Sequence, residues 1–193
     1  MKLVKDLEWL SIHEDVLTKK ECEDVIEFCD SKLYDQPLMS GERSYRTSNQ
    51  FFIPSDNGID YKLKTIASEI TNLPIANQEA TSVIRYEKGQ EYREHPDYFH
   101  LNTVEYEEYV YKNNNTNRVM TVLFYLGDDC EGGETVFPRK QISITPKVGT
   151  CIAWVNIHEN GQLNPDSLHA GLPVESGKKY IATIWVRASE FKI

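Results

Sequence analysis

The 193-residue chain lacks several features that mark whole classes of protein. No apolar run approaches the roughly 20 residues that a helix needs to cross a bilayer. The opening stretch, MKLVKDLEWLSIHEDVL, has neither the apolar middle nor the small-residue cleavage site of a signal peptide. The four cysteines show neither CxxC spacing nor the density of a disulfide scaffold. We therefore expect a cytoplasmic protein with reduced thiols and no membrane partner.

Positive charge is also scarce, because 21 Lys and Arg stand against 30 Asp and Glu, for a formal net charge of -9. No stripe of basic residues alternates with aromatic ones, so nucleic acid is not an expected partner. The length suits one domain with a sizeable core. We predict a single domain over residues 1–193, in which residues 1–78 give helical support and a substrate-side loop and residues 79–193 form the main β core.

Two helices and a later run of strands can be read from the residue pattern. Thr18 followed by Glu21 is a capping box and predicts a helix over residues 19–32. Apolar residues at helical spacing predict a second helix over residues 59–71. From residue 79 onward, seven or eight short apolar runs are separated by Gly, Asp, Asn and Pro. This order predicts an α+β, mainly β fold: a double-stranded β-helix, or jelly-roll barrel, with supporting N-terminal helices.

The most informative stretch is YEKGQEYREHPDYF, which reads as strand, turn and strand around a His-Pro-Asp triplet. In an extended chain His95 and Asp97 project from one face. His169, far downstream in SLHAG, is the best candidate for a third ligand. Two His and one carboxylate with open positions is the ligand set of non-haem Fe(II) oxygenases. Three other histidines have no such context and are predicted to lie on the surface or in loops: His13, His100 and His158.

Between the His-Pro-Asp stretch and RVMTVLFYL lies LNTVEYEEYVYKNNNTN, which is rich in Tyr, Glu and Asn. A surface loop is the favoured interpretation. A long loop beside a metal site can also cover substrate, so a lid over residues 105–117 is the alternative.

Several separated motifs together resemble a known family: RYEKGQEYREHPDYF, RVMTVLFYL, EGGETVFP, PKVGTCIAWVN and PDSLHAGLPVESGKKYIATIW. They are similar, in order and spacing, to the 2-oxoglutarate and Fe(II)-dependent dioxygenases of the prolyl 4-hydroxylase type. The resemblance runs over residues 16–187. It implies oxidative decarboxylation of 2-oxoglutarate to succinate and CO2, coupled to hydroxylation with O2. It also implies ascorbate as a further cofactor.

The resemblance carries over residue by residue. It implies a catalytic set of His95, Asp97 and His169 on Fe(II), with Lys179 on the far carboxylate of 2-oxoglutarate. Lys178 competes for that last role, but the spacing favours Lys179, and neighbours on a strand point to opposite faces. Three further residues match positions that hydrogen-bond the cosubstrate: Tyr86, Thr135 and Thr183.

Six residues match positions where peptide-modifying relatives hold an extended, proline-containing chain: Arg46, Ser48, Glu79, Tyr92, Arg118 and Trp185. The leading hypothesis is therefore hydroxylation of prolyl residues in a peptide or protein, although Arg187 replaces a relative's His near the end of the last strand. A second hypothesis is hydroxylation of free proline or another small molecule. A third is a jelly-roll binding module without turnover, which the intact ligand set and Lys179 speak against.

Overall fold

A computed structural model describes residues 1–35, 46–112 and 114–190. Its two long helices are α1 (Lys19–Asp30) and α2 (Gly58–Thr71). The predicted capping box is present at α1, where the Thr18 hydroxyl and the Glu21 carboxylate each accept a backbone N–H. Asn57 caps α2 by accepting the Ile59 N–H, and the helix ends at Asn72 in the left-handed conformation. Both predicted helices are confirmed to within two residues.

The described residues form fourteen strands, of which ten, β5 to β14, follow residue 79, where seven or eight were predicted. In chain order they are β1 (Lys2–Asp6), β2 (Leu10–Glu14), β3 (Tyr34–Asp35), β4 (Asn49–Phe52), β5 (Ser82–Tyr86), β6 (Tyr92–His95), β7 (Arg118–Tyr125), β8 (Cys130–Gly132), β9 (Thr135–Phe137), β10 (Ile142–Ile144), β11 (Cys151–Val155), β12 (His169–Gly171), β13 (Val174–Gly177) and β14 (Lys179–Arg187). All pairings between them are antiparallel. The main sheet has the order β1-β2-β11-β7-β14-β5-β4-β3, a smaller sheet the order β10-β9-β12-β6, and β8 pairs with β13.

Strand β7 shows how the layers are arranged, because its residues alternate between two cores. Val122 and Phe124 belong to the cluster that α1 and α2 cover. Leu123 and Tyr125 point the other way and pack with Phe137 of the smaller sheet. The main sheet therefore has helices on one face and the smaller sheet on the other. The mainly β, jelly-roll prediction is confirmed by this arrangement.

The first 78 residues contribute more than the helical support expected of them. Strands β1 to β4 lie within this part of the chain and extend the main sheet at both edges. His13, predicted to be at the surface or in a loop, is instead 8% exposed and lies on β2 opposite Cys151. That prediction was wrong because the pairing of β2 with the distant β11 has no local signal. Among the described residues, no helix is both long and apolar enough to pass through a membrane.

The segment between β6 and β7 lies at the surface, as favoured, but it is helical in part and not a loop throughout. Val104–Tyr106 forms one α-helical turn, α3, and Glu107–Tyr111 continues it as a π-helix. Thr103 caps the start by accepting the Tyr106 N–H at 3.1 Å. Val110 is fully buried. We call residues 101–112 and 114–117 the cover segment. Asn113 lies outside the described residues, and the lid role stays a prediction.

Candidate metal centre and adjoining pocket

Three buried side chains from two strands converge on one point. Strand β12 begins at His169, which lies directly opposite His95, the last residue of β6. Asp97 follows just beyond the end of β6, where Pro96 cannot donate to the ladder. His95 Nε2 is 3.9 Å from Asp97 Oδ1, and His169 Nε2 is 3.7 Å from Asp97 Oδ2. One ligand atom from each lies within 4.8 Å of the others, so the predicted third ligand is brought to the first two.

Both imidazoles are held with the same nitrogen facing inward. His95 Nδ1 donates to the Arg93 carbonyl at 2.7 Å, and His169 Nδ1 donates to the Ser167 carbonyl at 2.8 Å. Each Nε2 is thereby left as a lone-pair donor, the arrangement typical of metal-bound histidines. Burial, followed by the nearby His169, lowers the pKa of His95 to about 3. The ring is therefore neutral at physiological pH, as a metal ligand must be.

The carboxylate of Asp97 is oriented by side chains that the sequence did not reveal. Thr121 on β7 donates its hydroxyl to Asp97 Oδ2 at 2.7 Å, and Asn156 donates to Thr121 Oγ1 at 2.8 Å. Burial alone would raise the pKa of Asp97, but His169, His95 and Arg118 outweigh it and lower that pKa. The carboxylate is ionised at neutral pH. Thr121, Leu123 and Tyr125 share a face of β7, and this alternation is the signal by which Thr121 could have been found.

Aromatic rings pack directly on the two imidazoles. Tyr92 stacks on His95 with ring centroids 3.5 Å apart and an interplanar angle of 19°. Trp154, on β11 and 1% exposed, meets His169 edge to face at 4.7 Å. These contacts restrict ring rotation, so the nitrogen atoms stay aimed at Asp97.

A pocket opens beside the three ligands, and Lys179 lies at its other side. Lys179 is 2% exposed, whereas the side chain of Lys178 is 52% exposed and pairs with Glu87. The Lys179 ammonium lies 5.4 Å from the ring centroid of Tyr86, and no carboxylate of the described residues forms an ion pair with it. Burial lowers the pKa of Lys179 to about 8. The geometry thus agrees with the choice of Lys179 over Lys178.

The predicted hydrogen-bonding residues also line this pocket. Tyr86 pairs with Lys179 across β5 and β14, and Thr183 and Thr135 face the same space. Tyr125, which the sequence analysis did not single out, donates its hydroxyl to Thr135 Oγ1 at 2.8 Å. A ring of donors around a buried cation suits a carboxylate, whose burial is costly without such partners.

The six substrate-side residues fall into two groups. Arg46, Tyr92 and Trp185 line the pocket, and Ser48 accepts a hydrogen bond from Arg46 Nε at 2.7 Å. Glu79 and Arg118 instead pair with each other, and Arg187 joins them. We call Glu79, Arg118 and Arg187 the ion cluster.

The residues present fit both an iron ion and 2-oxoglutarate. Two imidazole nitrogens and one carboxylate, each fixed by a further hydrogen bond, form the facial set of non-haem Fe(II) sites. A buried, unpaired ammonium on the other side of the same pocket suits the second carboxylate of a short dicarboxylate. A jelly-roll barrel carrying this set belongs to the class of non-haem Fe(II) oxygenases.

Comparison with known proteins identifies the family. The sequence pattern of the 2OG-Fe(II) oxygenase superfamily matches residues 81–187. The chain is 32% identical over 182 residues to a putative prolyl 4-hydroxylase of Acanthamoeba polyphaga mimivirus, covering 92% of this chain and 73% of the relative. It is 31% identical to prolyl 4-hydroxylase 5 of Arabidopsis thaliana, covering 94% and 69%. Among solved structures, the 2OG complex of the viral collagen prolyl hydroxylase from Paramecium bursaria Chlorella virus-1 has a TM-score of 0.75 and 29% identity, covering 94% and 97%.

The chain belongs to the 2OG-Fe(II) oxygenase superfamily and is related within it to prolyl 4-hydroxylases. It is accordingly an enzyme that uses Fe(II), 2-oxoglutarate and O2.

Proposed function

We propose that this protein hydroxylates prolyl residues in a peptide or protein. The observation that carries the proposal is one pocket with a two-His, one-Asp set beside a buried Lys179 that has no carboxylate partner among the described residues. Relatives named prolyl 4-hydroxylases at about 30% identity give the choice of substrate.

In this proposal His95, Asp97 and His169 hold the metal, with the two His Nε2 atoms and one carboxylate oxygen as ligands. Lys179 holds the far carboxylate of 2-oxoglutarate. Tyr86, Thr135 and Thr183, which line the same pocket, are its hydrogen-bond partners.

When bound, Fe(II) and 2-oxoglutarate would, with O2 as oxidant, supply oxidative decarboxylation to succinate and CO2, with one oxygen atom entering succinate and the other hydroxylating a C–H bond. The task of the protein is to position the target and exclude water. Tyr92 and Trp154, packed on the two histidines, shield the centre from solvent. Thr121 keeps Asp97 fixed as a single-orientation ligand. No acid or base side chain has to transfer a proton.

The substrate side of the pocket suits an extended proline-containing chain. Tyr92 and Trp185 offer flat faces on which a pyrrolidine ring can pack. Arg46, whose guanidinium carbon lies 5.2 Å from the Tyr92 ring centroid, can donate to backbone carbonyls that a polyproline II segment leaves free.

The test is to incubate the purified protein with Fe(II), 2-oxoglutarate and a library of proline-containing peptides, with and without ascorbate. We expect succinate release and a gain of one oxygen atom on proline by mass spectrometry. Oxygen gained only by free proline or another small molecule would move the assignment to the second hypothesis. If no peptide or small molecule leads to succinate release, and if His95→Ala still binds metal, the remaining hypothesis is a binding module without turnover.

A further inference from the structure

The ion cluster lies in the interior, at the end of β14 nearest the cover segment. Glu79 Oε1 accepts hydrogen bonds from Arg118 Nε at 2.7 Å and from Arg187 Nε at 2.8 Å, and Glu79 Oε2 accepts one from Arg118 Nη2 at 2.8 Å. Glu79 is 8% exposed and Arg187 is 1% exposed. Both carboxylate oxygens are therefore already used by guanidinium groups, which leaves Glu79 poorly suited to bind a substrate directly.

Arg187 also reaches from β14 to the cover segment. Its Nη1 donates to the carbonyl of Tyr109 at 2.6 Å and to the carbonyl of Thr116 at 2.5 Å. Tyr109 lies in the last turn of the π-helix, where carbonyls have no partner within the helix. A cation at that end also suits the helix dipole. The Arg187 side chain thus bonds the cover segment at two separate positions, Tyr109 and Thr116.

Other hydrogen bonds support the same attachment. The Ser189 N–H donates to Thr116 Oγ1 at 3.3 Å. Asn117 accepts from the Phe99 N–H at 3.0 Å and donates to the Phe99 carbonyl at 2.8 Å, which closes the base of the segment. These bonds fix the C-terminal end of the segment, and Arg187 bonds that end at Thr116 and the π-helix at Tyr109.

A stack of planar groups connects the segment to the pocket. Trp185 lines the pocket, and the Arg118 guanidinium carbon lies 3.8 Å from its ring centroid. The same guanidinium lies 4.7 Å from the Phe99 ring, and Phe99 stacks on Tyr109 at 5.6 Å and 17°. Movement of Tyr109 would therefore disturb Phe99, Arg118 and Trp185 in turn.

We infer that Arg187 is a positioning residue that fixes the cover segment and, through Glu79 and the stack, sets the Trp185 wall on which the substrate packs. The inference rests on the proposed function, since that wall is where a prolyl chain would lie. It assigns to Glu79 and Arg118 a supporting role in place of direct contact with the peptide. The cover segment is then a preformed wall and not a lid that closes on each turnover.

The variants Arg187→Gln and Arg187→Lys test this role. Glutamine removes the charge, and lysine keeps it but cannot place three donors in the fork of a guanidinium. Arg139→Gln is the matched control, because Arg139 has a 54% exposed side chain and pairs only with Asp166 among the described residues. Hydrogen–deuterium exchange is measured over residues 104–117, together with the KM for a proline-containing peptide, the KM for 2-oxoglutarate and kcat.

We expect both Arg187 variants to exchange faster over the cover segment and to raise the peptide KM about tenfold, the usual effect of losing hydrogen bonds to a charged group. The KM for 2-oxoglutarate and peptide-independent succinate release should stay within about twofold of the wild type, because Lys179 and the metal ligands are not touched. The Arg139 control should change none of these values.

Unchanged exchange in both variants would overturn the inference, as would faster exchange with an unchanged peptide KM. If Arg187→Gln does not fold, Arg187→Lys decides the question, since it keeps the buried charge. The exchange measurement needs no substrate. If the wild type hydroxylates no prolyl peptide, the proposed function fails, but the exchange data still show whether Arg187 holds the cover segment.

Discussion

Two charged groups of the protein, Lys179 in the pocket and the ion cluster behind its Trp185 wall, differ in whether protein partners neutralise them. Lys179 lines the pocket, is buried and forms no ion pair with a carboxylate of the described chain. The ion cluster lies behind Trp185 of the pocket wall, and there Glu79 and both arginines satisfy one another. A buried charge without a partner in the protein is costly and indicates that a bound ligand of opposite charge neutralises it. A buried charge that other side chains already neutralise indicates a role in holding the fold.

The largest expected effect concerns the metal centre. His169→Ala removes one of three ligands, and we expect activity to fall by about 1,000-fold or more, since metal catalysis contributes several kcal/mol. Fe(II) or Co(II) titration should show weakened binding. His158→Ala, at an exposed turn, should retain both activity and metal binding. Equal metal affinity in His169→Ala and wild type would remove His169 from the site.

The next largest effect concerns the contribution of the ion cluster to the free energy of unfolding. Glu79→Gln leaves two guanidinium groups facing a neutral amide, and we expect the free energy of unfolding to fall by about 3 kcal/mol. Urea denaturation measures this change. Asp24→Asn removes the carboxylate of an exposed pair with Lys20 and should leave the free energy of unfolding unchanged. A stable Glu79→Gln protein would mean that the ion cluster does not hold the fold.

Removing the charge of Lys179 should raise stability, whereas removing the charge of Glu79 should lower it. Lys179→Met should raise the KM for 2-oxoglutarate about 100-fold, because a buried charge pair with the ligand is lost. The same variant, without added 2-oxoglutarate, should be more resistant to urea than the wild type, since an unpaired buried ammonium is removed. Lys178→Met, at the neighbouring exposed position, should change neither quantity. A KM for 2-oxoglutarate that is unaffected by Lys179→Met would contradict the proposed role of Lys179 in binding the cosubstrate.

The smallest effect follows from the pKa of Lys179, which burial lowers to about 8. The ammonium form binds the carboxylate, so affinity for 2-oxoglutarate is full below pH 8 and declines as pH rises through 8. We expect the KM for 2-oxoglutarate to rise about tenfold between pH 7 and pH 9. Lys179→Arg keeps its charge throughout this range and should flatten the profile. A steep profile that persists in Lys179→Arg would assign the titration to another group.

Two of the three candidate metal ligands could be predicted from a local signal. His95 and Asp97 are two residues apart, and alternation along an extended chain is enough to place them together. The same alternation separates Lys179 from Lys178. Thr121 was missed although it shares a face with Leu123 and Tyr125, because a threonine in a strand is usually no more than a good strand former.

The substrate side was harder to predict because its partners are far apart in the chain. Glu79 and Arg187 are 108 residues apart, and nothing near either residue reveals the pairing. The helical turns of the cover segment were missed because they are short and their stability comes from Arg187 and Phe99. His13 was misplaced for a similar reason, since its burial depends on the pairing of β2 with β11.

The sequence by itself determined that the fold is a mainly β barrel with helical support, and it named the candidate iron ligands and the candidate lysine for the cosubstrate. The helices and the pairing of His95 with Asp97 follow from helix caps and period-two alternation, which act over a few residues. The choice of His169 and Lys179 follows from the resemblance of separated motifs to a family. Only the tertiary structure decided which charges are paired and which are left for a ligand. That division depends on the antiparallel sheet order, which brings β6 beside β12 and carries Arg187 at the end of β14 to Glu79 and the cover segment.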